Sequence, residues 1–489
     1  MSRTTSTVAR HALAYATGSV VGGMTRAILL PVIARRLAPE EFGVFALLLA
    51  ATNFLHLIFE WGLVTALIKF HHETDDASER RRLVSTVFLV IPIVDALLAL
   101  ALIQFRGFAS VVLFGNDQYA SLVVIAIAIA YFGAQFQIFL SQVRAQNRSR
   151  DFVIYMAVKG VVSLGLTLWL VLGLDGGVRG FLLGTLAGPA AVSIFAIAVL
   201  LVRTGVDVKG ARARLRRLLG FGLPLVPAAL GLWALTHVDT YLLRVLGDLH
   251  AVGVYGFASE LCLPIALLMT SIHLAWPSFA FARARQADGA EQIAKVFRHL
   301  FVLLVGGALA VSVLRREILA VVGTEAFHES ARVLPLLTLA TVIYGASQAF
   351  STGLQVAGDT RRLPFFVLLA SITNALLNVL LIPMFREMGA AAATVVTNVL
   401  LCALVLRESN RQFPIPFELG RIARVLVGAA VVLLAADALG ERPLAVGIPV
   451  RVALLAVFAP MLVILGALSA RELRALPSAL AEVARGRAA

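Results

Sequence analysis

Arg26, Lys159, Glu60 and Asp95 are charged residues set inside stretches that are otherwise apolar. A charge at mid-bilayer depth costs about 2.5 to 3.5 kcal/mol on insertion scales, so such residues face a bundle interior or a water-filled cavity. The chemistry they offer is the holding of a charged group. Stepping back from Arg26 by three or four residues meets Gly23, Gly22, Ser19, Gly18 and Tyr15, a small and polar face that can line a cavity. Arg26 then contacts an anionic phosphate group, or pairs with Glu60 or Asp95 and locks the first helices. Asn53, His56 and Glu60 share one helical face, and Glu60 is also within reach of an interface. Lys159 either snorkels to the interface or extends into the cavity. Asp95, beside Pro92, has no such escape. It pairs with Arg26 or Lys159, or takes up a coupling proton or sodium ion.

A second set lies further along the chain. Pro224, Pro227 and Gly231 weaken a helix that ends in His237, Asp239 and Arg244. These three mark either a broken transporter helix or an interfacial ion cluster. Glu260 and His273 flank Pro264, and the His is a packing residue or a proton sensor. Tyr344, Gln348, Ser351 and Gln355 share a face, as do Ser371, Asn374 and Asn378. Such stripes bind sugars or hold helices together at about 0.6 to 2 kcal/mol per hydrogen bond. Gln135 and Gln348 could serve either role.

The elements that must position these residues are membrane spans. The 489 residues are 60% hydrophobic and 14% charged, with a mean hydropathy of +0.91. Apolar windows predict helices over 11–34, 43–68, 83–105, 120–141, 152–173 and 179–202. A second six follow over 219–243, 253–279, 299–314, 333–355, 363–383 and 389–406. Two more lie over 422–439 and 446–469, which makes about fourteen in an all-α polytopic fold. The span at 299–314 is short. Tyr131, Gln135, Gln142, Val143 and Arg148 return 213 residues later as Tyr344, Gln348, Gln355, Val356 and Arg361. Gly176 falls on Gly389 at the same offset, and an offset of 210 pairs Gly43-Val44-Phe45 with Gly253-Val254-Tyr255. An even number of spans between the copies leaves both facing the same way, the mark of parallel six-helix repeats. The expected organisation is a bundle over 1–205, a basic linker over 206–218, a second bundle over 219–407, and two additional helices with a basic tail over 408–489.

The net charge of +14 must be read against those spans. The even-numbered loops are basic, which places both termini in the cytoplasm, and the run from Arg203 through Lys209 to Arg217 is a lipid-headgroup anchor rather than a nucleic-acid site. No cleavable signal is apparent, because Arg26 interrupts the first apolar run. Cys262 and Cys402 sit in expected helices as packing residues. The connectors, such as Lys69 to Arg82 and Leu406 to Arg421, are too short for a catalytic module. With no Walker loop, HExxH or paired metal-spaced cysteines, the expectation is a non-enzyme without cofactor or metal.

The segments Gly18-Ser19, Pro31-Val32-Ile33-Ala34-Arg35-Arg36-Leu37-Ala38-Pro39-Glu40-Glu41-Phe42-Gly43 and Trp61-Gly62-Leu63 resemble the O-antigen and exopolysaccharide flippases. The stretch from Arg36 to Gly43 is the most specific. That family shares a superfamily with lipid II flippases and multidrug and toxic compound extrusion (MATE) antiporters, so the resemblance implies a MATE-like fold. It also implies translocation of an undecaprenyl-diphosphate-linked oligosaccharide across a bacterial inner membrane by alternating access. Membrane lipids, and a polysaccharide polymerase and glycosyltransferases, would be its partners. A lipid II flippase and a cation-coupled drug antiporter are the alternatives, and acidic groups would suit the antiporter's cargo better than Arg26 and Lys159 do.

Overall fold

The computed structural model describes residues 23–204, 209–440 and 442–473, and every regular element among them is helical. Eleven of these helices are long and apolar enough to cross a membrane, or twelve when one bent pair is taken as a single span. The first expected span is described only from residue 23, so Tyr15, Gly18, Ser19 and Gly22 fall outside the described residues. Its described part, residues 23–36, is α1.

The chain divides into two compact units, Met1–Gly253 and Val254–Ala489. In the first, α2 (Pro39–Glu60) and α3 (Leu63–Glu73) form one span broken at Trp61-Gly62. They are followed by α4 (Ala77–Gln104), α5 (Arg106–Phe114), α6 (Ala120–Ala145), α7 (Ser149–Leu168) and α8 (Gly177–Thr204). A π-helical turn, Trp169–Gly173, extends α7. The short amphipathic α9 (Ala211–Gly222) then leads into α10 (Val226–Leu246). The helix expected over 219–243 therefore lies in the first unit, and the boundary between units falls past the basic linker.

Local chemistry explains these ends. Glu40 and Glu41 occupy the first turn of α2 after Pro39, where acidic side chains complement the positive end of the helix. Asp76 caps α4 by accepting from Ser78 N at 2.9 Å, and the Ser78 hydroxyl and amide hold its carboxyl below the usual range. The Lys69 to Arg82 connector is thus mostly helix, with only residues 74–76 between α3 and α4.

At the α2–α3 break Trp61 has φ +50° and Gly62 φ +68°, left-handed values that Gly62 adopts without strain. A Cβ on Gly62 would overlap the Gly222 carbonyl, and one on Gly222 would lie 2.5 Å from the Trp61 carbonyl. Two backbones touch here, which admits no side chain on either. Around the contact, Leu63, Leu67, Phe70, Phe88 and Phe139 are buried with Leu218 of α9. Lipid offers no hydrophobic gradient between helices, so close van der Waals packing of this kind is what holds them.

The boundary falls within α11 (Leu249–Leu261), and the second unit continues through α12 (Leu263–Arg283), α13 (Gly289–Val313), α14 (Arg315–Val322), α15 (Ser330–Phe350), α16 (Thr352–Ala357), α17 (Leu363–Gln412), α18 (Leu419–Ala438) and α19 (Leu444–Ile464). α11 and the first part of α12 are bent by 48° just before Pro264. α17 is two helices joined at Arg386, where φ is 51° and ψ −129°, so both spans expected over 363–406 are present. The span expected to be short at 299–314 is a 25-residue helix. Lys295 and Arg298 lie in the first turns that the apolar window leaves out. Arg298 is 3% exposed there because Glu418 and Glu472 neutralise it.

One detail supports the sequence repeat. The α7–α8 turn passes through Asp175 at φ +48°, and the two halves of α17 meet at Arg386 at φ +51°. Just past each, the paired glycines lie against the end of the preceding helix. Gly176 N donates to Leu170 O at 3.0 Å, and a Cβ on Gly389 would overlap the Leu381 carbonyl.

Candidate functional site

Asp95 anchors the polar interior of the first unit. Its carboxylate is fully buried on α4 and accepts one hydrogen bond on each oxygen, from Trp61 Nε1 and from Gln135 Nε2, both at 2.7 Å. Tyr131, one turn before Gln135 on α6, donates to the Pro92 carbonyl at 3.2 Å and meets Phe59 edge-on. One acid thus ties the α2 break, α4 and α6 together through neutral donors.

His56 and Glu60 pair with each other at 2.9 Å. The imidazole lies over Gly133 of α6, where a Cβ would come within 2.8 Å of Nδ1. Asn53, on the same face of α2, meets His237 of α10 at 3.4 Å, and Trp233 donates to the Ala50 carbonyl at 3.1 Å. The alternatives in which Arg26 pairs with Glu60 or Asp95, or Lys159 with Asp95, are not the contacts seen for these acids among the described residues: Glu60 meets His56, and Asp95 meets Trp61 and Gln135. Neutral donors hold Asp95 better in this position, since Trp61 and Gln135 reach both oxygens without a second charge being buried.

The basic residues sit on two neighbouring helices: Arg26 is exposed on α1 and Lys159 is half-buried on α7. Thr25 and Gly160 mark the close approach of these two helices, with 2.9 Å between Thr25 Oγ1 and a Cβ built on Gly160. Lys159 Nζ stands 5.2 Å from the centre of the Phe136 ring. Consecutive residues of α6 therefore turn to opposite charges, Gln135 to the acid and Phe136 to the base. Two neighbouring cations suit a phosphate-bearing ligand, and cation–π contact holds Lys159 without cancelling its charge.

His237, Asp239 and Arg244 reach different groups. His237 goes to Asn53, Asp239 accepts from Thr240 N at 2.7 Å, and Arg244 donates to the Phe114 carbonyl at the end of α5. A guanidinium on a helix C-terminus has a capping role. In the second unit Glu260 is half-buried near the end of α11 and His273 is exposed. Ser351 donates to the Gln348 carbonyl at 2.6 Å, Gln355 to Ser351 at 2.7 Å, and Asn378 to the Asn374 carbonyl at 2.9 Å, so both polar stripes bond along their own helices. No cluster able to hold a metal ion occurs among the described residues.

Sequence reasoning missed Trp61 and Phe136 as site residues, although an indole in an apolar span implies a partner for its N–H. It also missed Arg451, which lies buried inside α19 and pairs with Glu317.

A family model described as "Polysaccharide biosynthesis protein" matches residues 8–280, and one described as MatE matches residues 224–380. No curated protein matches. Among solved structures, a lipid II flippase MurJ in an inward closed conformation aligns at a TM-score of 0.69 and 14% identity, over 93% of this chain and 98% of that one. An inward-facing multidrug resistance MATE family transporter of the MOP superfamily aligns at 0.65 and 13%, over 81% and 97%. An outward-facing conformation of a multidrug resistance MATE family transporter aligns at 0.56 and 13%, over 83% and 95%. These likenesses are of fold. With its first family model spanning more than half of its length, the chain belongs to the polysaccharide biosynthesis protein family, and its fold is a polytopic, all-helical, MATE-like one.

Proposed function

We propose that the protein is a flippase, not an enzyme, and that it carries an undecaprenyl-diphosphate-linked oligosaccharide across the bacterial inner membrane by alternating access. Both termini would be cytoplasmic. The observation that carries this reading is the placing of Arg26 and Lys159, two basic residues on closely approaching helices, with Lys159 set against the Phe136 ring. A diphosphate needs such a contact, and the polar interior around Asp95, His56 and Asn53 offers hydrogen bonds to a glycan. Arg26 and Lys159 must hold the cargo more tightly in one state than in the other, since equal binding in both moves nothing.

The test is glycan export in a strain that depends on this protein. Arg26→Ala and Lys159→Ala should each abolish export while membrane insertion stays intact. Normal surface polysaccharide in either variant would remove that residue from the site. A second reading, a cation-coupled antiporter, draws on Asp95, an acid with neutral partners. It predicts drug sensitivity on deletion with unchanged surface glycan.

A further inference from the structure

We propose that α9 is a docking element for anionic phospholipids, with Arg212 and Arg216 gripping the headgroup phosphate. This does not depend on what the protein transports. The helix carries four arginines. Two are matched inside the first unit: Arg214 reaches Glu79 at 3.2 Å and Thr86 at 3.0 Å, while Arg217 reaches Glu73 at 3.3 Å and stacks 4.4 Å over Phe70. These contacts, with buried Leu218, fix α9 on α3 and α4. Arg212 and Arg216 lie on the outer face, exposed and with no side-chain partner among the described residues.

Their spacing makes the vacancy informative. Like charges at i and i+4 repel on a helix surface, and the same spacing lets two guanidinium groups converge on one phosphate. The continuation of the chain identifies the source of that phosphate. Leu223, seven residues after Arg216 and so on the same helical face, follows with 43% of its surface exposed, an apolar side chain suited to acyl chains. Arg216 and Leu223 are two helical turns apart, or about 10 Å, comparable to the depth of a headgroup layer. A soluble phosphate would have no use for an exposed Leu223 on that face, whereas a phospholipid meets both levels at once.

The test is native mass spectrometry of the full chain, released from micelles doped with phosphatidylglycerol or phosphatidylcholine. The wild type should retain phosphatidylglycerol preferentially, and Arg212→Gln/Arg216→Gln should bind it about thirtyfold more weakly, as expected for two surface arginines. Arg212→Lys/Arg216→Lys should retain most of the binding. Melting in phosphatidylcholine alone should be the same for all three, since neither arginine has a side-chain partner to lose among the described residues. Equal phosphatidylglycerol retention by the glutamine variant overturns the proposal. So does displacement of the lipid by millimolar inorganic pyrophosphate, which would mark a site for soluble phosphate.

Discussion

Gln135 donates to Asp95 at 2.7 Å, whereas Gln348, its counterpart 213 residues on, accepts from the Ser351 hydroxyl through its backbone carbonyl at 2.6 Å. The repeat keeps the residue, and the two copies make different contacts. Asp95→Ala would leave the Trp61 and Gln135 donors unmatched in the interior, at about 1 to 3 kcal/mol each. Asp95→Asn keeps an acceptor and should recover part of the loss. Melting of the two variants in detergent checks this, and equal midpoints would refute it.

Gly62→Ala should be among the most damaging small substitutions in the chain. The methyl would overlap the Gly222 carbonyl at a residue with φ +68°, so backbone strain of about 1 to 3 kcal/mol adds to the clash. Because the two glycines share one contact, the double substitution with Gly222→Ala should cost less than the sum of the singles. A double-mutant cycle on melting temperature measures the difference.

The glycines at the paired turns can be ranked. A Cβ on Gly389 would overlap the Leu381 carbonyl, while one on Gly176 would lie 2.9 Å from the Leu170 carbonyl. Gly389→Ala should therefore lower the folded yield more than Gly176→Ala, read by fluorescence-detected size-exclusion chromatography.

Arg451 and Glu317 are 4% and 5% exposed, so removing one partner strands the other. Arg451→Met should cost about 3 to 5 kcal/mol, and Arg451→Met/Glu317→Leu should restore most of it. A double variant no more stable than the single would show that the pair's geometry, rather than the stranded charge, matters.

The span pattern was legible because about twenty apolar residues in a row admit few other structures. The repeat was legible in Gly176 and Gly389, whose type is dictated by the backbone they touch. The partners of Asp95 were not. Its spacing from Arg26 and Lys159 along the chain carries no information about which helices adjoin α4, and Trp61 stood out only as part of a family signature. Arg451 was hidden by the same averaging that found α19, since one charge scarcely lowers the hydropathy of a long window. Arg298 had the opposite effect, shortening the apolar window of a helix that the structure shows to be full length.

Arg298 carries a consequence for biogenesis. Both of its carboxylates, Glu418 and Glu472, are translated more than a hundred residues after it, at the head of α18 and just past α19. A ribosome that has delivered α13 has placed a guanidinium in the interior with neither of these anions yet made. A stop codon before Glu418 would make that condition permanent, so the final pair of helices completes the second unit and is no dispensable appendage.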